Sequence, residues 1–235
     1  MNTHGQLALV GSGEYLPAMA EFEASLLKNG PSLRYVQLPT AAGKESKESL
    51  NYWERIGKEQ ADRIGAEQVF LPIYTREDAM RSDYAERIHG AGLIYLSGGD
   101  PHHLAEVLIG TTVWDAIVSS WQSGSSLAGC SAGAMAFGPD VPHFRKLKEI
   151  GGVGLGLLPH LRVIPHYNKF FKWIPDSAAQ LFLKAPLGLR IIGIDENTAI
   201  VTNDLETWTV HGSGLAHILN GESTGKHAAL DTFEL

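Results

Sequence analysis

Short apolar runs alternate with stretches of helical periodicity through the first two thirds of the chain. Leu7 to Gly11 reads as a buried strand, Met19 to Leu27 as a helix, Arg34 to Leu38 as a strand, Ser49 to Ile64 as a helix and Gln68 to Leu71 as a strand. The unit recurs from Ala91 to Leu96, which runs into the turn Ser97-Gly98-Gly99-Asp100 and then into helical patterns from His103 and from Val113 to Trp121. Ser126 to Cys130 is one more short strand, and it ends at Gly129-Cys130-Ser131-Ala132-Gly133. Strand and helix in this alternation predict an α/β fold, a mostly parallel sheet with helices on both faces.

Beyond Phe137 the texture changes. A polar segment from Pro139 to Glu149 leads into the glycine run Gly151 to Gly156, which reads as a loop within one domain spanning residues 1–235. Leu161 to Ile164 and Arg190 to Ile194 read as strands, with a helix from Lys169 to Leu183 interrupted near Pro175. Thr198 to Val201, Thr207 to His211 and Ala216 to Leu219 are separated by polar turns and predict antiparallel hairpins closing one edge of the sheet.

With 235 residues, 44% apolar and 19% charged, the chain has ordinary globular usage. Its net charge of −7 and the lack of a basic run argue against nucleic acid as a partner. The single cysteine, Cys130, excludes an intrachain disulfide or a multi-cysteine metal site and suits a reducing, cytoplasmic setting. No export signal opens the chain, and no stretch nears the roughly 20 apolar residues that cross a bilayer, so no membrane is expected.

The chemistry concentrates at Gly129-Cys130-Ser131-Ala132-Gly133, a Gly-x-Ser-x-Gly pattern after a strand and before a small-residue helix start. Presenting a side chain at the tip of such a strand requires a sharp, strained turn with small neighbours two residues away. Centring the turn on Ser131 meets that demand with two glycines, whereas centring it on Cys130 would use Ala128 and Ala132. Ser131 is therefore the expected nucleophile, with Cys130 directed into the sheet.

A serine hydroxyl needs a general base, usually histidine. His4, His89 and His227 lie in polar or terminal surroundings, and His211 and His217 in the hairpin tail. His166 follows a strand and Pro165, so it should emerge at a strand end, while His160 enters the same strand from its other end. For the acid, Asp140, Glu149, Asp195 and Glu196 all lie in loops from which they could orient an imidazole.

These residues resemble the serine peptidases that include dipeptidase E and cyanophycinase, which share a flavodoxin-like three-layer fold with class I glutamine amidotransferases. Three features carry the resemblance: Gly98-Gly99-Asp100, the elbow Gly129 to Ala134, and Gly154-Leu-Gly-Leu-Leu-Pro159 leading to Pro165-His166-Tyr167. Ser131 and His166 stand 35 residues apart, similar to the family spacing. The resemblance implies Ser131 as nucleophile and His166 as general base. It also implies the Gly99 and Ala132 amides as oxyanion donors, with Asp100 in the substrate-binding turn. It favours Asp140 or Glu149 as the acid and implies no cofactor and no metal.

Two departures bear on substrate. Cyanophycinases carry glutamine after Gly-Gly-Asp and an arginine-rich stretch after the histidine, whereas this chain has Pro101 and Asn168-Lys169-Phe170-Phe171-Lys172. The preference of dipeptidase E for amino-terminal aspartate calls for a cation, with Arg145, Lys146, Lys148 and Lys169 as candidates. The expected partner is a small peptide substrate, and apolar residues around the tail could form a homodimer face. Two competing readings are amidotransferase-like chemistry on Cys130 and a non-catalytic binding domain on the same scaffold. Gly11-Ser-Gly as a dinucleotide turn, Gly221 to Lys226 as a phosphate loop and His102-His103 as metal ligands each lack the partners their motifs need.

Overall fold

The computed structural model describes residues 4–142, 151–173, 186, 188–221 and 224–235. Five parallel strands form the first part of the main sheet: β1 (Leu7–Val10), β2 (Arg34–Leu38), β3 (Glu67–Phe70), β4 (Leu93–Leu96) and β5 (Ser126–Cys130). Between them run α1 (Ala20–Lys28), α2 (Lys47–Ile64), α3 (Arg76–Ala79), α4 (Ser82–Ile88), α5 (Pro101–Leu108) and α6 (Thr112–Gln122). The helix starts follow local chemistry. Ser46 caps α2, Thr111 caps α6, and Thr75 and Asp78 bond reciprocally around the first turn of α3.

After β5 come α7 (Ala132–Ala136) and a two-residue antiparallel ladder of β6 (Asp140–Val141) with β7 (Gly152–Val153). There follow β8 (Leu161–Ile164), α8 (Tyr167–Trp173), β9 (Arg190–Ile194), β10 (Thr198–Thr202), β11 (Thr207–Gly212), β12 (Ala216–Ile218), β13 (Gly225–His227) and β14 (Thr232–Glu234). The main sheet has the order β14-β11-β10-β1-β5-β4-β2-β3, and a second sheet has the order β13-β12-β9-β8.

The strands sort their side chains by parity, as a pleated strand must. Leu7, Leu9, Val36, Leu38, Ile94 and Leu96 join one core with α3 to α7, while Ala8, Val10, Tyr35, Leu93 and Tyr95 join the other with α1 and α2. The result is the flavodoxin-like three-layer arrangement. The second sheet is continuous with the first of these cores through Leu161, Val163, Ile192 and Ile194.

Two expectations need correction. Of the three tail strands, β10 and β11 do extend the main sheet, but Ala216–Ile218 pairs with β9 instead. All three β12 residues are buried, and β9 supplies the backbone partners that burial demands. The glycine run Gly151 to Gly156, read as a loop, contributes β7, which pairs with β6, and in the tail β13 pairs with β12.

The α1 face also encloses a carboxyl group. Glu23 is fully buried and accepts hydrogen bonds from the Tyr35 hydroxyl at 2.8 Å, Gln60 Nε2 at 3.0 Å and the Tyr15 amide at 3.2 Å. Burial outweighs these donors and pushes its pKa from 4.5 up to about 7. Among the described residues no helix is long and apolar enough to cross a membrane.

Candidate active site

Parallel strands deliver their carboxyl ends to one side of a sheet. The pairings of Val10 with Cys130 and of Leu96 with Gly129 bring three turns together there: Gly11 to Glu14, Gly98 to Asp100, and the elbow at Ser131. Ser131 has φ 49° and ψ −106°, a left-handed torsion that side-chain-bearing residues rarely adopt. Its neighbours explain how the turn closes. A Cβ on Gly129 would lie 2.6 Å from the carbonyl carbon of Gly133, so only glycine lets strand and helix approach this closely. The Ser131 amide donates to the Val10 carbonyl at 2.9 Å, fixing the elbow to β1.

Adjacent side chains at the elbow diverge. The Cys130 thiol is buried and donates to Glu14 Oε2 at 3.0 Å, while Glu14 Oε1 accepts from the Gly98 amide at 2.8 Å. Burial, and after it the Glu14 carboxylate, push the thiol pKa well up, so the reactive thiolate is disfavoured. The Ser131 hydroxyl instead faces His166, with Oγ 3.1 Å from Nε2.

His166 has φ 50° and stands two residues beyond β8. Its Nδ1 donates to Glu196 Oε1 at 3.0 Å. The parallel register of β8 and β9 pairs Ile164 with Gly193, so both strands release their chains at the same end. The second oxygen of Glu196 takes Lys169 Nζ at 2.5 Å, and the Glu196 amide donates to Asn168 Oδ1 at 3.2 Å. Burial works to raise the Glu196 pKa, but hydrogen bonds from Lys169 and His166 outweigh it and hold the carboxyl below its ordinary value. With Nδ1–H committed to an ionised carboxylate, Nε2 of a neutral imidazole carries the lone pair toward Ser131.

Of the other candidate acids, Asp140 and Asp195 face other partners. Asp140 forms a paired contact with Arg162, Oδ2 to Nη2 at 2.5 Å and Oδ1 to Nε at 3.3 Å, because β6 places it opposite that buried guanidinium. Glu149 lies outside the described residues, as do Arg145, Lys146 and Lys148. Asp195 points away from its neighbour Glu196 and meets His217 Nε2 at 3.0 Å. Asp100 caps α5, accepting from the amides of His102 at 2.9 Å and His103 at 3.2 Å. Its own amide donates to the Ala41 carbonyl, which holds the Gly98-Gly99 turn beside the elbow. A Cβ on Gly98 would meet Glu14 Oε1 at 2.5 Å and Ser131 Cβ at 3.3 Å. Ala132 is the buried first residue of α7, directly after Ser131.

Glu196 stood among four open carboxylates in the sequence. No local signal separates it from Asp195: the pairing of β8 with β9 is what brings Glu196 beside His166.

The chain matches peptidase family S51 over residues 7–210. A cyanophycinase of Trichormus variabilis is 32% identical over 186 residues, covering 73% of this chain and 58% of that protein. The chain thus spans well under two thirds of the length of that relative. An uncharacterized peptidase of Listeria innocua is 24% identical over 86% of this chain and 93% of its own. Among solved structures, a peptidase from an acI-B1 Actinobacterium superposes with a TM-score of 0.94 at 48% identity, covering 99% of this chain and 97% of that one. A putative peptidase E protein of Listeria monocytogenes shares the fold, with a TM-score of 0.65 at 19% identity over 89% of this chain and 98% of its own. The elbow, the strand order and the extent of the family match agree: this chain belongs to peptidase family S51.

Proposed function

We propose that the chain is a serine-type peptidase acting on a small peptide or isopeptide. Ser131 Oγ attacks the carbonyl carbon as His166 Nε2 takes its proton. The same imidazole returns that proton to the leaving amine, and water then resolves the acyl-enzyme by the reverse of these roles. Glu196 holds the imidazole in the productive tautomer and stabilises the imidazolium that forms. The amides of Gly99 and Ala132 are the oxyanion donors in this reading, because the amide of Ser131 itself is committed to Val10.

The observation that carries the reading is the continuous Ser131–His166–Glu196 contact, at 3.1 Å and 3.0 Å. It favours catalysis over a binding domain that has lost its acid. The burial of Cys130 and its bond to Glu14 argue against thiol chemistry. A reducing, cytoplasmic setting suits that thiol. The cyanophycinase and peptidase relatives point to peptide substrates, and because Asn168 to Lys172 depart from the arginine-rich cyanophycinase stretch, short peptides fit better than the polymer.

A fluorophosphonate probe tests this directly. Intact mass should rise by one adduct, lost in Ser131→Ala, and a dipeptide library including aspartyl and β-linked members should show cleavage that the variant lacks. Absence of an adduct on folded protein, with turnover surviving Ser131→Ala, would refute the proposal.

A further inference from the structure

Glu196 serves two nitrogen donors at once. Its Oε1 takes the His166 ring and its Oε2 takes Lys169 Nζ. Both partners come from the same short turn: the left-handed torsion at His166 opens it, and the Lys169 amide donates back to the His166 carbonyl at 2.8 Å. Asn168 closes the arrangement by accepting from the Glu196 amide. Lys169 therefore sits where it does because of the turn that aims the imidazole.

We propose that Lys169 is a positioning residue of the site: its ammonium, held on the second oxygen of Glu196, keeps His166 neutral to lower pH than a bare histidine–carboxylate pair would. The inference rests on the serine-peptidase reading and adds a device that sets its pH range.

The physical argument is one of charge. A carboxylate alone beside an imidazole stabilises the imidazolium and raises the pH at which the base form appears. An ammonium on the same carboxylate withdraws part of that stabilisation and repels the second positive charge. Among the described residues, the titratable groups on the neighbouring elements are engaged elsewhere. Asp195 pairs with His217, Tyr167 packs its ring on His217, and Glu14 binds the Cys130 thiol and the Gly98 amide. Among the contacts described for Glu196, Lys169 is the cation that balances it. The Lys169 side chain is 45% exposed, so screening by water limits the effect to about one pH unit.

The experiment follows the rate of Ser131 labelling by a fluorophosphonate from about pH 5 to 9, because acylation requires neutral His166. In Lys169→Met the acid limb should move up by about one unit, making labelling about tenfold slower at low pH and within about threefold of wild type on the alkaline plateau. Lys169→Arg should keep the wild-type midpoint. Proton NMR titration of the His166 C2–H should show the same shift and does not depend on labelling. A Lys169→Met midpoint equal to wild type in either measurement overturns the proposal. So does a loss expressed as a raised KM for acidic substrates alone, which would make Lys169 a substrate contact. If wild type does not label at all, the serine mechanism fails, while the NMR titration still decides the role of Lys169.

Discussion

The two sides of the site are built by different means. On the main-sheet side, Ser131 is fixed by its own pentapeptide: two glycines in contact, a left-handed torsion and an amide tied to β1. On the second-sheet side, His166 and Glu196 are 30 residues apart, and the register of β8 against β9 brings them together. A strand-end elbow of this type is a local property of the chain. A histidine–carboxylate pair of this type is a property of strand pairing.

That contrast is broken most directly at Glu196, the acid of the proposed mechanism. Glu196→Gln keeps the size of the side chain but removes the charge on which the imidazole tautomer depends. Turnover of a cleavable dipeptide should fall by about 10³ to 10⁴-fold with KM changed less than about threefold, read by steady-state kinetics. A loss smaller than about tenfold would move the acid to another residue.

The next effect belongs to the main-sheet side and concerns stability. Glu23 holds its proton up to about pH 7 when folded, against 4.5 ordinarily, so between those values the folded chain binds a proton that the unfolded chain releases. Stability from this group is complete below its ordinary value, declines as pH rises toward about 7 and is then lost, a change of about 3 kcal/mol. Urea melts near pH 5 and pH 8 should show that decline in the wild type, and Glu23→Gln should flatten it. An unchanged slope in the variant would assign the pH dependence elsewhere.

Asp140→Asn sharpens the comparison from the other direction. It weakens the partner of a buried guanidinium and should destabilise by about 1 to 2 kcal/mol in denaturant melts, while turnover per folded molecule stays within about threefold of wild type. A kinetic loss equal to that of Glu196→Gln would restore Asp140 to the mechanism.

The legibility of the sequence divides along the same line. Arg34–Leu38 and Ser126–Cys130 are readable to the residue, because each is a short apolar run bounded by turns. The helices Arg76–Ala79 and Ser82–Ile88 are not, being too short to establish a period in a polar stretch. Leu161–Ile164 and Arg190–Ile194 are recognisable as strands, but their mutual pairing in a separate sheet leaves no local trace. Hence Ser131 and His166 could be singled out from context, and Glu196 could not be separated from Asp195. The resemblance pointed to the loop before His166, where Asp140 turns out to face Arg162.

The torsion at Ser131 carries an implication for durability. Glycine would adopt φ 49° and ψ −106° without steric conflict, whereas alanine would share the serine's conflict. Ser131→Gly should therefore outlast Ser131→Ala by about 1 kcal/mol, or about 2 to 4 °C in scanning calorimetry. Equal melting would show that the surrounding turn absorbs the conflict. Heat resistance alone would have placed glycine at the tip of β5, so under the proposed mechanism the hydroxyl there marks a position where endurance and reactivity ask for different residues.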